Sequence, residues 1–214
     1  MNTESDSAAL SPPILKIGAV VLRKQPRTDS GMRSASEPLA AGVSAAKGTK
    51  SPSIDATEIL IIRPIPKQAG EVPPFVLPRG SRQYQDVSGQ WQDARDVATG
   101  FAHAVTLEPF TRALAREIDE EAGVSGEMLA RARVVEMGAM DFTSRSKGTY
   151  PIHWFAVMPT AADAAMLDTQ MPADATAVRW ATLDDIKTMA ATGEFSAGYL
   201  PVIEAALQAL QTSP

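Results

Sequence analysis

Three glutamates, Glu117, Glu120 and Glu121, are the residues whose types and spacing indicate chemistry most directly. They occupy positions i, i+3 and i+4, and because successive helical residues are offset by about 100°, their side chains would share one helix face. Like charges at this spacing destabilise an isolated helix by roughly 0.2–0.5 kcal/mol per pair, and a bound cation would remove that repulsion. Carboxylate oxygens suit Mg²⁺ or Mn²⁺, and Mg²⁺ combines such ligands with waters and substrate phosphates. The spacing therefore favours metal-assisted chemistry on a phosphate substrate.

A solvated helix face is the alternative interpretation of these acids, and for a run of like charges it is the commoner one. The neighbouring residues favour a specific site. Leu114 and Ile118 form an apolar pair at i and i+4, as on a helix that packs against a core. Arg116 precedes the acids, and Gly123 follows them where a helix-terminating glycine belongs. A surface that is merely soluble does not require this order.

The same stretch resembles the second half of the Nudix box. That pattern is Arg-Glu-aliphatic-any-Glu-Glu-any-Gly-aliphatic, and residues 116–124 match it at every specified position. The first half of the box is a glycine, five residues of any type and a glutamate. Seven further residues separate this glutamate from the arginine. Glu108 matches the glutamate, whereas Ala102 stands where the glycine would be. Residues 77–80, Leu-Pro-Arg-Gly, resemble the family's strand-to-loop entry, which suggests an insertion of about twenty residues between Gly80 and Glu108.

Resemblance to the Nudix family implies an α/β fold, with an α/β/α sandwich around a mixed β-sheet, and hydrolysis of a diphosphate linkage. Pyrophosphate cleavage needs neutralised phosphate oxygens and a positioned water, and carboxylate-held Mg²⁺ supplies both without a covalent nucleophile. Glu117, Glu120 and Glu121 are the expected metal ligands, with Mg²⁺ as the cofactor and Mn²⁺ as the alternative. One of them, most simply Glu120, would instead orient or deprotonate the water.

Further residues are expected to support this cluster. Arg116 would be repelled by a metal, so its expected role is to hold a carboxylate, and the family pattern suggests Glu108 as the partner. Many relatives add an acid from a loop after the box. Asp174 is the first candidate for that acid, with Asp141 and Asp168 as alternatives.

Substrate binding is expected at two places. Arg79 and Gly80 belong to a turn in which backbone groups can face a ligand, and backbone carbonyls near Gly80 or Ala102 would complete the metal shell. Arg63 ends a predicted strand, where its charge would face a phosphate; a surface cation that caps the strand is the alternative.

The substrate class follows only by resemblance. Residues 77–80 and 150–155 look more like those of family members that act on nucleoside or dinucleoside polyphosphates than those of members that act on ADP-ribose or another nucleotide sugar. A catalytically silent module that binds a nucleotide or a protein partner is the alternative function, suggested by Ala102 and the insertion. The three retained glutamates favour the enzyme.

Composition excludes several other classes. A net charge of −5 argues against nonspecific nucleic-acid binding, which requires a basic surface. With 0 cysteines there is no thiolate nucleophile or Cys-based zinc site, and 2 histidines are too few for a histidine-rich metal centre. The polar, acidic start and the lack of a long apolar run predict a cytoplasmic protein without a membrane segment. The expected partner is a small nucleotide, and a homodimer is possible.

The chain is expected to form one domain over 12–214, after a disordered tail at 1–11. A flexible loop at about 26–54 is interpreted as a linker, with a substrate lid as the alternative. Within the insertion at about 81–105, Trp91 and Phe101 are candidates for docking it on the domain or on a second subunit. Strands are predicted at 14–23, 58–63, 75–77, 132–142, 150–159 and from 177, helices at 109–122, from 182 and at 200–210, and an acidic loop at 161–175.

Overall fold

The computed structural model describes residues 14–25, 57–86, 88–93, 106–144 and 148–212. The predicted tail at 1–11 and the predicted loop at 26–54 lie outside these ranges. Phe101, Ala102 and much of the predicted insertion also lie outside them. The predictions made for those residues stay predictions.

The described residues contain nine strands. They are β1 (Lys16–Lys24), β2 (Thr57–Pro64), β3 (Arg79–Ser81), β4 (Gln83–Gln85), β5 (Trp91–Asp93), β6 (Thr106–Leu107), β7 (Arg133–Ser144), β8 (Gly148–Met158) and β9 (Ala175–Thr182). The principal sheet has the order β7-β8-β1-β2-β9, with β3 paired to β1 beside this path. Because β1 and β8 run parallel while the other pairs are antiparallel, the sheet is mixed.

Helices lie on both faces of this sheet. They are α1 (Phe110–Ala122), α2 (Gly126–Arg131), α3 (Ala161–Leu167), α4 (Leu183–Thr192) and α5 (Leu200–Thr212), with a 3₁₀ turn at Ala197–Tyr199 before α5. Across the described ranges, each helix falls short of the length and hydrophobicity that a membrane span requires.

The continuous apolar run of β1 explains the layering. Ile17, Ala19 and Val21 belong to the core cluster that includes α1 and α3, whereas Val20 and Leu22 belong to the cluster that includes α4 and α5. Because alternate side chains of a strand point to opposite faces, a strand covered by helices on both sides must be apolar throughout. The predicted α/β/α sandwich around a mixed sheet is therefore confirmed.

Two local predictions are wrong. The predicted loop at 161–175 begins with α3, because Thr160 caps that helix by accepting a hydrogen bond from the Asp163 backbone N–H. The predicted strand at 75–77 makes only isolated bridges, from Phe75 to Phe195 and from Val76 to Ile62. Prolines at 73, 74 and 78 remove backbone donors around it, and the regular strand starts only at β3.

Three short strands between Ser81 and Glu108 lie outside the principal sheet. Strands β5, β4 and β6 form a separate antiparallel sheet in that order. Where this small sheet begins and ends, the Glu108 backbone N–H donates to the Gln83 carbonyl oxygen at 2.8 Å. The chain therefore returns at Glu108 to the point that it left at Gln83, which brings Gly80 and α1 together despite their separation in sequence.

Candidate active site

Helix α1 presents the three glutamates beside β3. The helix begins after Pro109 and ends at Gly123, which has φ 71° and donates its N–H to the Asp119 and Ile118 carbonyls. Leu114 and Ile118 are buried on the sheet side of α1. The apolar stripe thus fixes the rotation of the helix and directs the acidic face toward β3.

Glu117 is fixed by groups from two elements. Its Oε1 accepts hydrogen bonds from the Ser81 backbone N–H at 3.0 Å and from Arg116 Nη1 at 2.6 Å. Its carboxylate also lies directly against Gly80, because a β-carbon placed on Gly80 would be 1.5 Å from Glu117 Oε2. Only glycine leaves room for this carboxylate, so the structure brings the predicted residues Glu117 and Gly80 into contact.

Glu121 lies next to Glu117 and is partly buried. Its Oε2 accepts the Arg79 backbone N–H at 3.2 Å. Burial raises the pKa of Glu121 to about 7, and repulsion from Glu117 and Asp174 adds to this increase, while the Arg79 N–H and charge oppose it. A bound cation would relieve both the repulsion and the cost of ionising this side chain.

Glu120 is the exposed member of the cluster. Its side chain is 49% exposed, and its Oε2 lies 3.6 Å from Arg116 Nη1. Partial desolvation raises its pKa, Arg116 lowers it, and the charges of Glu117, Asp174 and Asp119 raise it further. Among the three glutamates, Glu120 is thus the one most accessible to solvent water.

Asp174 lies close to the cluster, in the segment before β9. Its carbonyl oxygen accepts the Ile65 backbone N–H at 3.4 Å, which ties this segment to the end of β2. Its charge raises the pKa values of both Glu120 and Glu121. The structure therefore brings the predicted fourth acid into electrostatic range of the glutamates.

The buried Glu108 and the partly exposed Arg116 form an ion pair that supports Glu117. Glu108 is 0% exposed, and its Oε2 accepts hydrogen bonds from Arg116 Nη2 and the Gln83 backbone N–H, each at 3.0 Å. Arg116 Nη2 also donates to the Ser81 carbonyl at 2.7 Å. Burial lowers the pKa of Arg116, but its bonds to Glu108 and Glu117 outweigh burial and raise it. The guanidinium thus stays charged and joins Glu108, Glu117 and β3.

The other predicted residues occupy different surroundings. The Arg79 guanidinium donates to the Tyr150 hydroxyl at 2.7 Å. Arg63 instead lies with its guanidinium 4.2 Å from the centre of the Phe75 ring. Asp168 pairs with Arg23 near the far end of β1. Asp141 lies exposed on β7, opposite Pro151.

Oxygen donors of this kind suit a hard divalent cation. The hydrogen bonds to Ser81 and Arg79 engage one oxygen of Glu117 and one of Glu121, so the other oxygen of each can act as a ligand. Within the described ranges, however, no three Asp, Glu or His side chains converge closely enough to form a metal site. The oxygen donors of Glu117, Glu120 and Glu121 fit Mg²⁺ in their chemistry, but their present side-chain positions do not bring three of them together.

Two residues of the site carry no sequence signal. Ser81 and Gln83 act through their backbone N–H groups, which any residue other than proline provides. The sequence singles out the segment at 150–155, but the contact between Tyr150 and Arg79 spans 71 residues and follows only from the fold.

The comparisons with known proteins rest on structure alone. No family model and no curated protein matches the sequence. The structure is similar to a mutT/nudix family protein from Listeria innocua, with 13% identity, a TM-score of 0.51, and coverage of 94% of this chain and 96% of that one. It is also similar to Shewanella oneidensis NrtR, with 12% identity, a TM-score of 0.50, and coverage of 92% of this chain and 64% of that one. Together with the sandwich described above, these similarities show that the chain has a Nudix fold.

Proposed function

We propose that this protein is a metal-dependent hydrolase that cleaves a diphosphate linkage in a nucleoside diphosphate derivative. The observation that carries the proposal is that backbone N–H groups of one short strand, β3, bind two neighbouring carboxylates of α1. Glu117 accepts the Ser81 N–H and Glu121 accepts the Arg79 N–H, while the exposed Glu120 stands between them on α1. A surface helix needs no such anchoring of its acids.

In the proposed mechanism, Mg²⁺ or Mn²⁺ held by Glu117, Glu120 and Glu121 would neutralise phosphate oxygens and lower the pKa of a bound water. Arg116 orients the Glu117 carboxylate by donating a hydrogen bond to it at 2.6 Å. Glu120 is the candidate for orienting the attacking water or accepting its proton, because it faces solvent. Asp174 adds negative charge beside the glutamates and so strengthens their preference for a cation.

The proposed substrate is a nucleoside or dinucleoside polyphosphate. Support comes from the Leu-Pro-Arg-Gly segment at 77–80 and the strand at 150–155, whose resemblance to members acting on such substrates is at pattern level. The structure adds one contact between these two segments, the hydrogen bond from Arg79 to Tyr150. ADP-ribose or another nucleotide sugar is the alternative substrate.

A substrate panel tests this function. The full-length protein is incubated with ATP, diadenosine tetraphosphate and ADP-ribose, in Mg²⁺, in Mn²⁺ and in EDTA, and released nucleotides are separated by chromatography. We expect metal-dependent release of a nucleoside monophosphate or diphosphate from one substrate class, and none in EDTA. Glu120→Gln serves as the matched loss-of-function variant. Absence of metal-dependent turnover across the panel would refute the hydrolase and leave the catalytically silent module.

A further inference from the structure

Glu108 is a buried carboxylate whose two oxygens have different partners. Its Oε2 accepts hydrogen bonds from Arg116 Nη2 and the Gln83 backbone N–H, whereas its Oε1 accepts none from the described residues. Arg112 faces this second oxygen, with its Nε 3.6 Å away. Because a carboxylate removed from water needs countercharge, each oxygen of Glu108 is matched by a different arginine.

Arg116 is shared between Glu108 and the glutamate cluster. Its Nη2 donates to Glu108 and to the Ser81 carbonyl, and its Nη1 donates to Glu117 at 2.6 Å. Its Nε is buried and has no hydrogen-bond partner within the described ranges, so this donor could turn toward Oε1 of Glu108. Such a movement of the guanidinium would change its bond to Glu117.

Arg112 is held in place by the small sheet of β4, β5 and β6. Its guanidinium lies 4.4 Å from the centre of the Trp91 ring on β5. The Arg112 side chain is 56% exposed, so this ring restricts a side chain that solvent would otherwise leave free to rotate. Arg82, another guanidinium beside Glu108, donates instead to the backbone carbonyls of Glu108 and Ile14. Arg112 therefore links the small sheet to the Glu108 carboxylate.

We propose that Arg112 is a positioning residue for Glu117, and that Trp91 acts through Arg112. Arg112 supplies the positive charge that faces Oε1 of Glu108, which leaves Arg116 directed at Glu117. This inference rests on the proposed function for the role of Glu117 as a metal ligand. It extends the site to the small sheet, because that sheet carries the ring that restricts Arg112.

Two competing explanations predict different results. If Arg112 only adds a surface ion pair to α1, its loss lowers the melting temperature slightly and leaves the site unchanged. If Arg112 acts only through its charge, its removal strengthens Mg²⁺ binding, because a nearby positive charge opposes a cation. The positioning role predicts weaker Mg²⁺ binding, since Glu117 would lose its fixed orientation.

The first test titrates the metal-free full-length protein with MgCl₂ by calorimetry. Loss of a group that orients a metal ligand usually weakens affinity by about 10–100-fold, and Arg112 acts from further away, so we expect Arg112→Gln to weaken binding by about three- to ten-fold. Arg112→Lys, which keeps the charge, and Trp91→Leu should have smaller effects. Trp91→Leu should add little to Arg112→Gln. Lys187→Gln is the matched control, because it removes a positive charge from an exposed ion pair with Glu204.

The second test reports the position of Glu117 without metal. The Ser81 backbone N–H donates to Glu117, and the Arg79 backbone N–H donates to Glu121. In nitrogen–proton correlation spectra recorded in EDTA, we expect Arg112→Gln to shift the Ser81 amide proton and to shift that of Arg79 less. Lys187→Gln should move neither.

An unmoved Ser81 amide in Arg112→Gln, or Mg²⁺ binding that is unchanged or stronger, would overturn the inference. If that variant does not fold, judged by circular dichroism, the same criteria apply to Arg112→Lys and Trp91→Leu. The result is separable from the hydrolase proposal. Weaker Mg²⁺ binding with a shifted Ser81 amide, in a protein that turns over no panel substrate, would retain the positioning role and refute the hydrolase. Mg²⁺-dependent turnover with unaltered Mg²⁺ affinity in the Arg112 variants would do the opposite.

Discussion

The carboxylate of Glu117 fills the space that a side chain at Gly80 would require. A β-carbon at Gly80 would lie 1.5 Å from Glu117 Oε2 and 1.8 Å from Cδ. The obstructing group is the end of a flexible side chain, so the fold can accommodate alanine if Glu117 moves away. The contact therefore constrains the site more than it constrains stability.

Gly80→Ala is accordingly expected to inactivate the protein without unfolding it. Displacing Glu117 breaks its bond from the Ser81 N–H, and a misplacement of about 1 Å in a catalytic group can cost about a hundred-fold in rate. Metal-dependent turnover and thermal melting are measured together. Gly126→Ala is the control, because a β-carbon at Gly126 meets nothing within 4 Å. Equal turnover in both variants would contradict the role of Glu117.

Glu120→Gln is expected to lower turnover by roughly 10²–10⁴-fold, the usual contribution of a general base. The same variant should melt no lower than the parent in EDTA, because it removes a carboxylate that Glu117 and Asp174 repel. Asp119→Asn, which removes the exposed neighbouring acid, is the control. If Glu120→Gln left both turnover and Mg²⁺ affinity unchanged, the assignment of the site would be wrong.

The raised pKa of Glu121 predicts how stability depends on pH. With a folded-state pKa of about 7, above the ordinary 4.5, the folded protein retains a proton that the unfolded chain has released between these values. The metal-free protein should therefore lose stability as pH rises from about 4.5 to about 7, by at most about 1.4 kcal/mol per pH unit, and then level off.

Metal binding should reverse this trend, because Mg²⁺ requires the ionised carboxylate. The increase in melting temperature on adding MgCl₂ is expected to be larger at pH about 8 than at pH about 5.5. In Glu121→Gln both the destabilisation between pH 4.5 and 7 in EDTA and the pH dependence of the MgCl₂ effect should diminish. A metal effect that is independent of pH in the parent protein would argue against Glu121 as a ligand.

Periodicity and terminating residues predicted α1 and its acidic face, because both arise from neighbouring residues. Pro109 and Gly123 bound the helix, and the stripe of Leu114 and Ile118 sets which side faces the sheet. The helix α3 escaped prediction because its start depends on one capping hydroxyl, Thr160, in a segment without a long apolar stripe.

The supporting contacts of the site could not be predicted in the same way. The bonds that hold Glu117 and Glu121 come from backbone N–H groups 36 and 42 residues away. The spacing from Arg116 identifies Glu108, but its complete burial depends on where the sheet formed by β4, β5 and β6, the added sheet, returns the chain. Long-range pairing creates these features, and a single sequence carries no local trace of them.

The added sheet should be removable without loss of the fold. The Glu108 N–H binds the Gln83 carbonyl at 2.8 Å, so the same bond could close a β-turn if only two residues separated Gln83 from Glu108. Replacing residues 84–107 by Asn-Gly, a dipeptide that favours such turns, would leave five residues between Gly80 and Glu108, the spacing of the Nudix box.

We expect this shortened protein to fold, because Glu108 retains its bonds to Gln83 and Arg116. It loses the contact in which the Arg112 guanidinium lies 4.4 Å from the centre of the Trp91 ring, so a modest decrease in melting temperature should follow. Retention of metal-dependent turnover would show that the catalytic cluster is independent of the added sheet. If the shortened protein folds but its turnover falls as far as that of Glu120→Gln, the added sheet contributes directly to the site.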